Sequence, residues 1–183
     1  MGRELTLAFH GAARTVTGSC LEFDLDGTRL LVDCGLFQGS RSLEVLNREP
    51  FAFDPAKIDA VVLTHAHIDH SGLLPRLVAQ GFAGRIWCTP ATADLLRPML
   101  ADAGRIQEAD TERRNRRRDR AGEEPFEPLY TEADALAAWG QAHPVELNEW
   151  FEPAPGFRAR LWNAGHILGS ASVELEAGGA RVV

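Results

Sequence analysis

The sequence predicts an α/β layered fold, and three observations carry that expectation. Alternating apolar and polar residues mark strands near both ends of the chain. The middle, from Ala91 to about Arg120, has helical composition. Between them, Ile58 to Leu63 is a short apolar run that suits a strand buried on both faces. Strands, then helices, then strands again call for sheets that bury their faces against neighbouring layers.

The opening stretch Met1–Phe9, with Leu5, Leu7 and Phe9 alternating, reads as a half-buried strand rather than a signal peptide. Leu21, Phe23 and Leu25 alternate with Glu22, Asp24 and Asp26. Asp26-Gly27 then makes a two-residue hairpin turn, and Thr28 to Asp33 returns as a strand. Gly72 to Gln80 fits a short helix stopped by Gly81, and Arg85 to Cys88 another short strand. Leu95, Leu96, Met99, Leu100 and Ile106 give the long central helix an apolar face, and Pro98 is expected to kink or split it. Thr131-Glu-Ala-Asp134 is a capping-box start for a helix through Trp139. Phe157–Trp162, Ser172–Glu176 and Ala180–Val183 read as strands. The last begins where the sequence stops, so the expectation is one domain over residues 1–183, truncated at its C-terminus. The alternative is a homo-oligomer in which a second copy pairs that edge.

Bulk properties narrow the function. A chain of 183 residues, 45% hydrophobic and 25% charged, can bury one sizeable core. No apolar run approaches a membrane span, so no membrane partner is expected. The expected location is cytoplasmic. Cys20, Cys34 and Cys88 are odd in number and widely spaced, which suits reduced, packed thiols rather than a disulfide framework or a thiolate zinc site. A net charge of −7 excludes a generally basic nucleic-acid-coating protein. Every cation except Lys57 is an arginine, which suits phosphate recognition but also follows from a GC-rich genome. The run Arg113–Arg120 could contact phosphates. Glu112, Asp119, Glu123 and Glu124 dilute its charge, so a merely solvated helix face is the competing reading.

The chemistry concentrates in Thr64-His65-Ala66-His67-Ile68-Asp69-His70-Ser71-Gly72, which follows the buried run. Residues two apart in extended chain point the same way, so His65 and His67 can address one point. Asp69 and His70 lie where the chain turns into a helix and can address a second point nearby. Imidazole and carboxylate are good ligands for zinc, and manganese or iron would also accept them. Two such metals suit hydrolysis, one activating water and both clamping the reacting group. The competing reading is a polar turn whose histidines cap the next helix. His166, between glycines in Gly165-His166-Ile-Leu-Gly169-Ser170, is the next candidate ligand. Asp33, at a strand end, could take the second N–H of a ligating histidine, or could simply bond to its own turn. His10 and His143 have no such setting and read as structural.

Together these residues resemble a known family. His65-x-His67-x-Asp69-His70 is similar to the hallmark segment of the metallo-β-lactamase superfamily. Gly11-Ala-Ala-Arg-Thr-Val-Thr-Gly-Ser-Cys20, Asp33-Cys-Gly-Leu-Phe-Gln-Gly39 and Gly165–Ser170 resemble its β-CASP branch of RNA-processing nucleases. That resemblance implies an αββα sandwich, of which this chain is the N-terminal part. It implies that His65, His67 and His166 bind one zinc, and Asp69 and His70 a second. It also implies a bridging aspartate shortly after the strand beginning at Ala180, an inserted β-CASP domain and later histidines, none of which this sequence contains. The expected activity is hydrolysis of RNA phosphodiester bonds, with Asp69 orienting the attacking water and RNA as partner of the full-length parent. Two rivals stand beside it: hydrolysis of a small ester, thioester or lactam, and an inactive fragment that binds metal or a partner.

Overall fold

The computed structural model describes residues 4–183. The first three residues of the expected opening strand lie outside the described residues. Two sheets form. The first has the order β1-β2-β3-β4-β5-β6. β1 (Leu5–Phe9), β2 (Leu21–Leu25) and β3 (Thr28–Val32) pair antiparallel, joined between β2 and β3 by the expected Asp26-Gly27 turn. β4 (Ala60–Val62), β5 (Arg85–Cys88) and β6 (Ala142–Pro144) extend it in parallel. The second sheet is antiparallel in the order β10-β9-β8-β7, from β7 (Trp150–Phe151), β8 (Phe157–Asn163), β9 (Ala171–Ala177) and β10 (Ala180–Val182). The helices are α1 (Arg41–Leu46), α2 (Ile68–Ser71), α3 (Leu74–Ala79), α4 (Pro90–Ala121) and α5 (Glu132–Gly140).

The two-residue period of the strands divides the interior into two cores. Leu31, Val61, Ile86 and Cys88 face Leu77, Leu96, Leu100 and Ala135 of the helices. Their neighbours Leu30, Val32, Val62 and Trp87 face Phe157, Ala159, Leu161 and Leu175 of the second sheet. β4 is therefore apolar and buried at every position, as the run at 58–63 predicted. Helix, sheet and sheet are thus in place. The far face of the second sheet carries ion pairs instead, Arg158 with Glu176 and Arg160 with Glu174. The second helix layer of an αββα order is not among the described residues.

Several boundaries move. β1 is an edge strand, so Leu7 and Phe9 are 41% and 62% exposed rather than half-buried. The buried run contributes only Ala60–Val62 as strand, because Ile58 instead ends a 3-10 turn at Pro55–Lys57. The helix expected over 72–80 is α3 alone, preceded by the separate turn of α2. Gly81 stops it with φ of 108°, a conformation glycine adopts without strain. α4 is not split: it runs through Pro98 without a break. The capping box of α5 forms as expected, Thr131 and Asp134 each accepting from the other's backbone N–H.

Candidate metal centre

The candidate ligands gather at the C-terminal ends of β3 and β4 and at the loop between β8 and β9. β4 and the residues after it deliver His65 and His67 in extended chain, as their spacing requires. His65 Nε2 lies 3.1 Å from His67 Nδ1, and His166 Nε2 lies 3.2 Å from the same Nδ1. The three rings stand nearly edge-on to one another, with centroids 4.9–5.0 Å apart. The nitrogens lie within 4.8 Å of one another. Around a tetrahedral zinc with bonds of 2.0–2.1 Å, ligand nitrogens sit about 3.3 Å apart. The donor set therefore fits a metal ion of that size. Burial and the adjacent His70 push the His65 pKa down to about 4, so its ring is neutral with a lone pair to offer.

Asp69 and His70 form a second group. α2 begins directly after His67, and its first turn sets Asp69 Oδ2 3.7 Å from His70 Nε2. His67 makes no side-chain cap bond at the start of that helix, so capping does not account for it. The ring of His70 lies against that of His65, with centroids 4.1 Å apart, so the two groups adjoin.

Asp33 ties the centre to the sheet. It is 2% exposed and adopts φ of 63°, a left-handed conformation that aspartate tolerates better than most residues. Its Oδ2 accepts from Ser19 Oγ at 3.0 Å and sits 2.7 Å from His70 Nδ1. Its Oδ1 accepts from the Thr64 backbone N–H at 2.9 Å and from Thr64 Oγ1 at 3.0 Å. Burial opposes protonation of His70. The Asp33 hydrogen bond and the charges of Asp33 and Asp69 outweigh it, so the His70 pKa rises.

Supporting residues emerge that the motif alone did not single out. Thr64 Oγ1 reaches both Asp33 and His65 Nδ1, the latter at 2.9 Å. Ser170 Oγ accepts the backbone N–H groups of His166 and Ile167, each at 3.0 Å, which folds the His166 loop. Thr89 and Thr92, at the start of α4, both donate to the Gly169 carbonyl and anchor that loop. A serine or threonine beside a candidate ligand was the available signal, but the hydroxyls' partners lie far off in sequence. Gly35 permits a close approach: a Cβ there would meet the Asp69 carbonyl oxygen at 1.7 Å. His10 pairs with Glu22 at 2.7 Å and His143 packs on Trp87, so both take the structural roles expected.

Comparison with known proteins supplies the context. The sequence profile of the metallo-beta-lactamase superfamily matches residues 14–183. The chain is 38% identical over 173 residues to Ribonuclease TTHA0252 of Thermus thermophilus, covering 94% of this chain and 35% of that protein. It is 32% identical to Transcription termination factor FttA of Methanocaldococcus jannaschii, covering 95% of this chain and 25% of that one. It is 30% identical to Cleavage and polyadenylation specificity factor 73 of Drosophila melanogaster, covering 94% and 23%. The chain thus spans about a third or less of the length of these relatives. Among solved structures, a metallo-beta-lactamase mutant from Cronobacter sakazakii aligns with a TM-score of 0.58 at 19% identity, covering 96% of this chain and 58% of that one. YhfI from Bacillus subtilis aligns at 0.56 and 16%, covering 97% and 61%. At such identities these two matches speak for the fold alone.

Proposed function

Because this chain belongs to the metallo-beta-lactamase superfamily, and within it to the β-CASP branch, we propose that it supplies the histidine-rich half of a two-zinc centre that hydrolyses RNA phosphodiester bonds. The observation that carries this reading is the convergence of three imidazole nitrogens, from His65, His67 and His166, at one point. In it, His65, His67 and His166 hold one ion, and Asp69 and His70 hold the second. Zinc suits imidazole and carboxylate donors best, and manganese or iron would occupy the same residues. Bound there, the ions would supply an acidified water and positive charge for the phosphoryl oxygens.

The protein's own groups do the rest. Asp33 accepts from His70 Nδ1, which fixes the ring and leaves Nε2 free to face the centre. Thr64 turns the His65 ring by its bond to Nδ1. Asp69, its carboxylate partly open to solvent, would orient the attacking water. RNA as substrate rests on the similarity to Ribonuclease TTHA0252 rather than on any base-stacking motif in this chain. Residues 1–183 would then form the metallo-β-lactamase-like unit. The reading includes a cytoplasmic location, which an RNA substrate and three free, buried thiols support. No helix of the described residues is long and apolar enough to cross a membrane.

The test is a zinc-loaded chain assayed on a fluorescent single-stranded RNA beside a chromogenic small ester. RNA cleavage that EDTA abolishes and that the ester does not share is the expected outcome. Ester turnover alone would replace the reading with the small-molecule hydrolase. Bound metal with no turnover of either would favour the non-catalytic fragment.

A further inference from the structure

Two separate stretches of chain bring arginines together around an aromatic ring held by a third. After α4 ends at the left-handed Gly122, the chain doubles back along the helix. Asn115 clamps Phe126 there by two bonds, its Nδ2 donating to the Phe126 carbonyl and its Oδ1 accepting the Phe126 N–H, both at 2.8 Å. Arg48, just past α1, lays its guanidinium 3.9 Å over the Phe126 ring and donates to the Glu127 carbonyl at 3.0 Å. Arg114 approaches the same ring at 5.8 Å. Arg114, Arg117 and Arg118 stand one helical turn apart on one face of α4 and, with Phe126, line a cavity of about 310 Å³.

The charge there is only partly offset. Of the nearby acids, Asp110 is engaged by Arg113 and Glu123 by Arg118. Arg48, Arg114 and Arg117 have no carboxylate partner among the described residues. The stretch from 113 to 120 holds six arginines and one aspartate in a chain whose net charge is −7. Holding like charges together costs energy unless an anion joins them. Burial and the neighbouring Arg114 and Arg76 already depress the Arg48 pKa. Guanidinium groups in such an array match phosphate oxygens in pairs.

We propose that Arg48, Arg114 and Arg117, gathered around Phe126, form an accessory site for the phosphate backbone of single-stranded RNA, remote from the metal centre. Thr89, which touches the His166 loop, and Arg114 are separated by 25 residues of α4, roughly 37 Å along a straight helix axis. The site therefore adds grip and length dependence without touching the reacting bond. The inference rests on RNA being the substrate.

The experiment is fluorescence anisotropy of a labelled oligouridylate of about 20 nucleotides, longer than that span at ~3.4 Å per stacked residue. It is titrated with the wild-type chain and with Arg114→Gln/Arg117→Gln across a range of salt. Both positions are exposed, and circular dichroism checks that the variant folds. Each phosphate contact contributes about 0.7 to the slope of log affinity against log salt for single strands. The variant is expected to bind more weakly, with a slope flatter by about 1.4. Arg114→Lys/Arg117→Lys is expected to keep the slope. Arg105→Gln/Arg158→Gln, an equal change of net charge elsewhere, is expected to leave both quantities as in wild type. Wild-type binding with an unchanged slope and affinity in Arg114→Gln/Arg117→Gln would overturn the site and leave the RNA reading standing. No binding by the wild-type chain would overturn both.

Discussion

Asp33 Oδ2 lies 2.7 Å from His70 Nδ1, across 37 residues of sequence, and this contact joins the end of β3 to the start of α2. A buried carboxylate at a left-handed backbone position, satisfied by Ser19, Thr64 and His70 together, is a costly arrangement to disturb. Asp33→Ala orphans these donors and is expected to lower stability by about 3 kcal/mol in urea unfolding. Asp33→Asn keeps the shape and tolerates the backbone, so its stability loss is smaller. Its zinc affinity should still fall about 10- to 100-fold, because His70 loses the anion that fixes its ring. Wild-type zinc affinity in both variants would show that Asp33 serves the turn alone.

Gly35 packs where a Cβ would strike the Asp69 carbonyl, whereas Gly140 has open space around its Cα. Gly35→Ala is expected to unfold the site or the chain, read as lost zinc binding and a lower melting temperature. Gly140→Ala, at the end of α5, is expected to be neutral or to stabilise by up to about 1 kcal/mol.

Thr89 and Thr92 both spend their hydroxyls on the Gly169 carbonyl. Replacing both by valine keeps the volume but removes the two donors and the Thr89 side-chain cap of α4. The expected cost is about 1–3 kcal/mol, with faster hydrogen exchange in residues 165–170 and weaker zinc binding. Unaltered exchange in that loop would mean that Ser170 alone holds it.

The three thiols are buried. Burial pushes the Cys88 pKa up to about 12, and the hydrogen bond with Cys34, then burial, raises that of Cys20 well above the ordinary range. A raised thiol pKa leaves the group protonated and unreactive at pH 8. A colorimetric thiol titration of the native chain at that pH should therefore show little fast reaction, and all three should react once guanidinium unfolds the chain.

Most of the fold and the centre were legible because they rest on short-range patterns. The Asp26-Gly27 turn, the Thr131/Asp134 cap and the apolar run near Val61 each declare a local geometry. The spacing of His65 and His67 declares a shared direction, and the structure brings their nitrogens to 3.1 Å. What was not legible depends on tertiary position. Leu7 and Phe9 alternate like any half-buried strand, but their burial depends on which strand ends the sheet. Pro98 breaks isolated helices, yet burial of Leu96 and Leu100 in the core that α4 shares with α5 carries α4 through it. β6 and β7 are too short, at three and two residues, to carry a periodic signal. The hydroxyls of Ser19 and Thr92 meet their partners only in the folded chain.

The most direct test of the centre is the metal content of the purified chain by mass spectrometry, beside a His65→Ala/His67→Ala variant. About one to two zinc ions per wild-type chain and loss of metal in the variant are expected. No metal in the wild-type chain, or equal metal in both, would contradict the assignment of the centre.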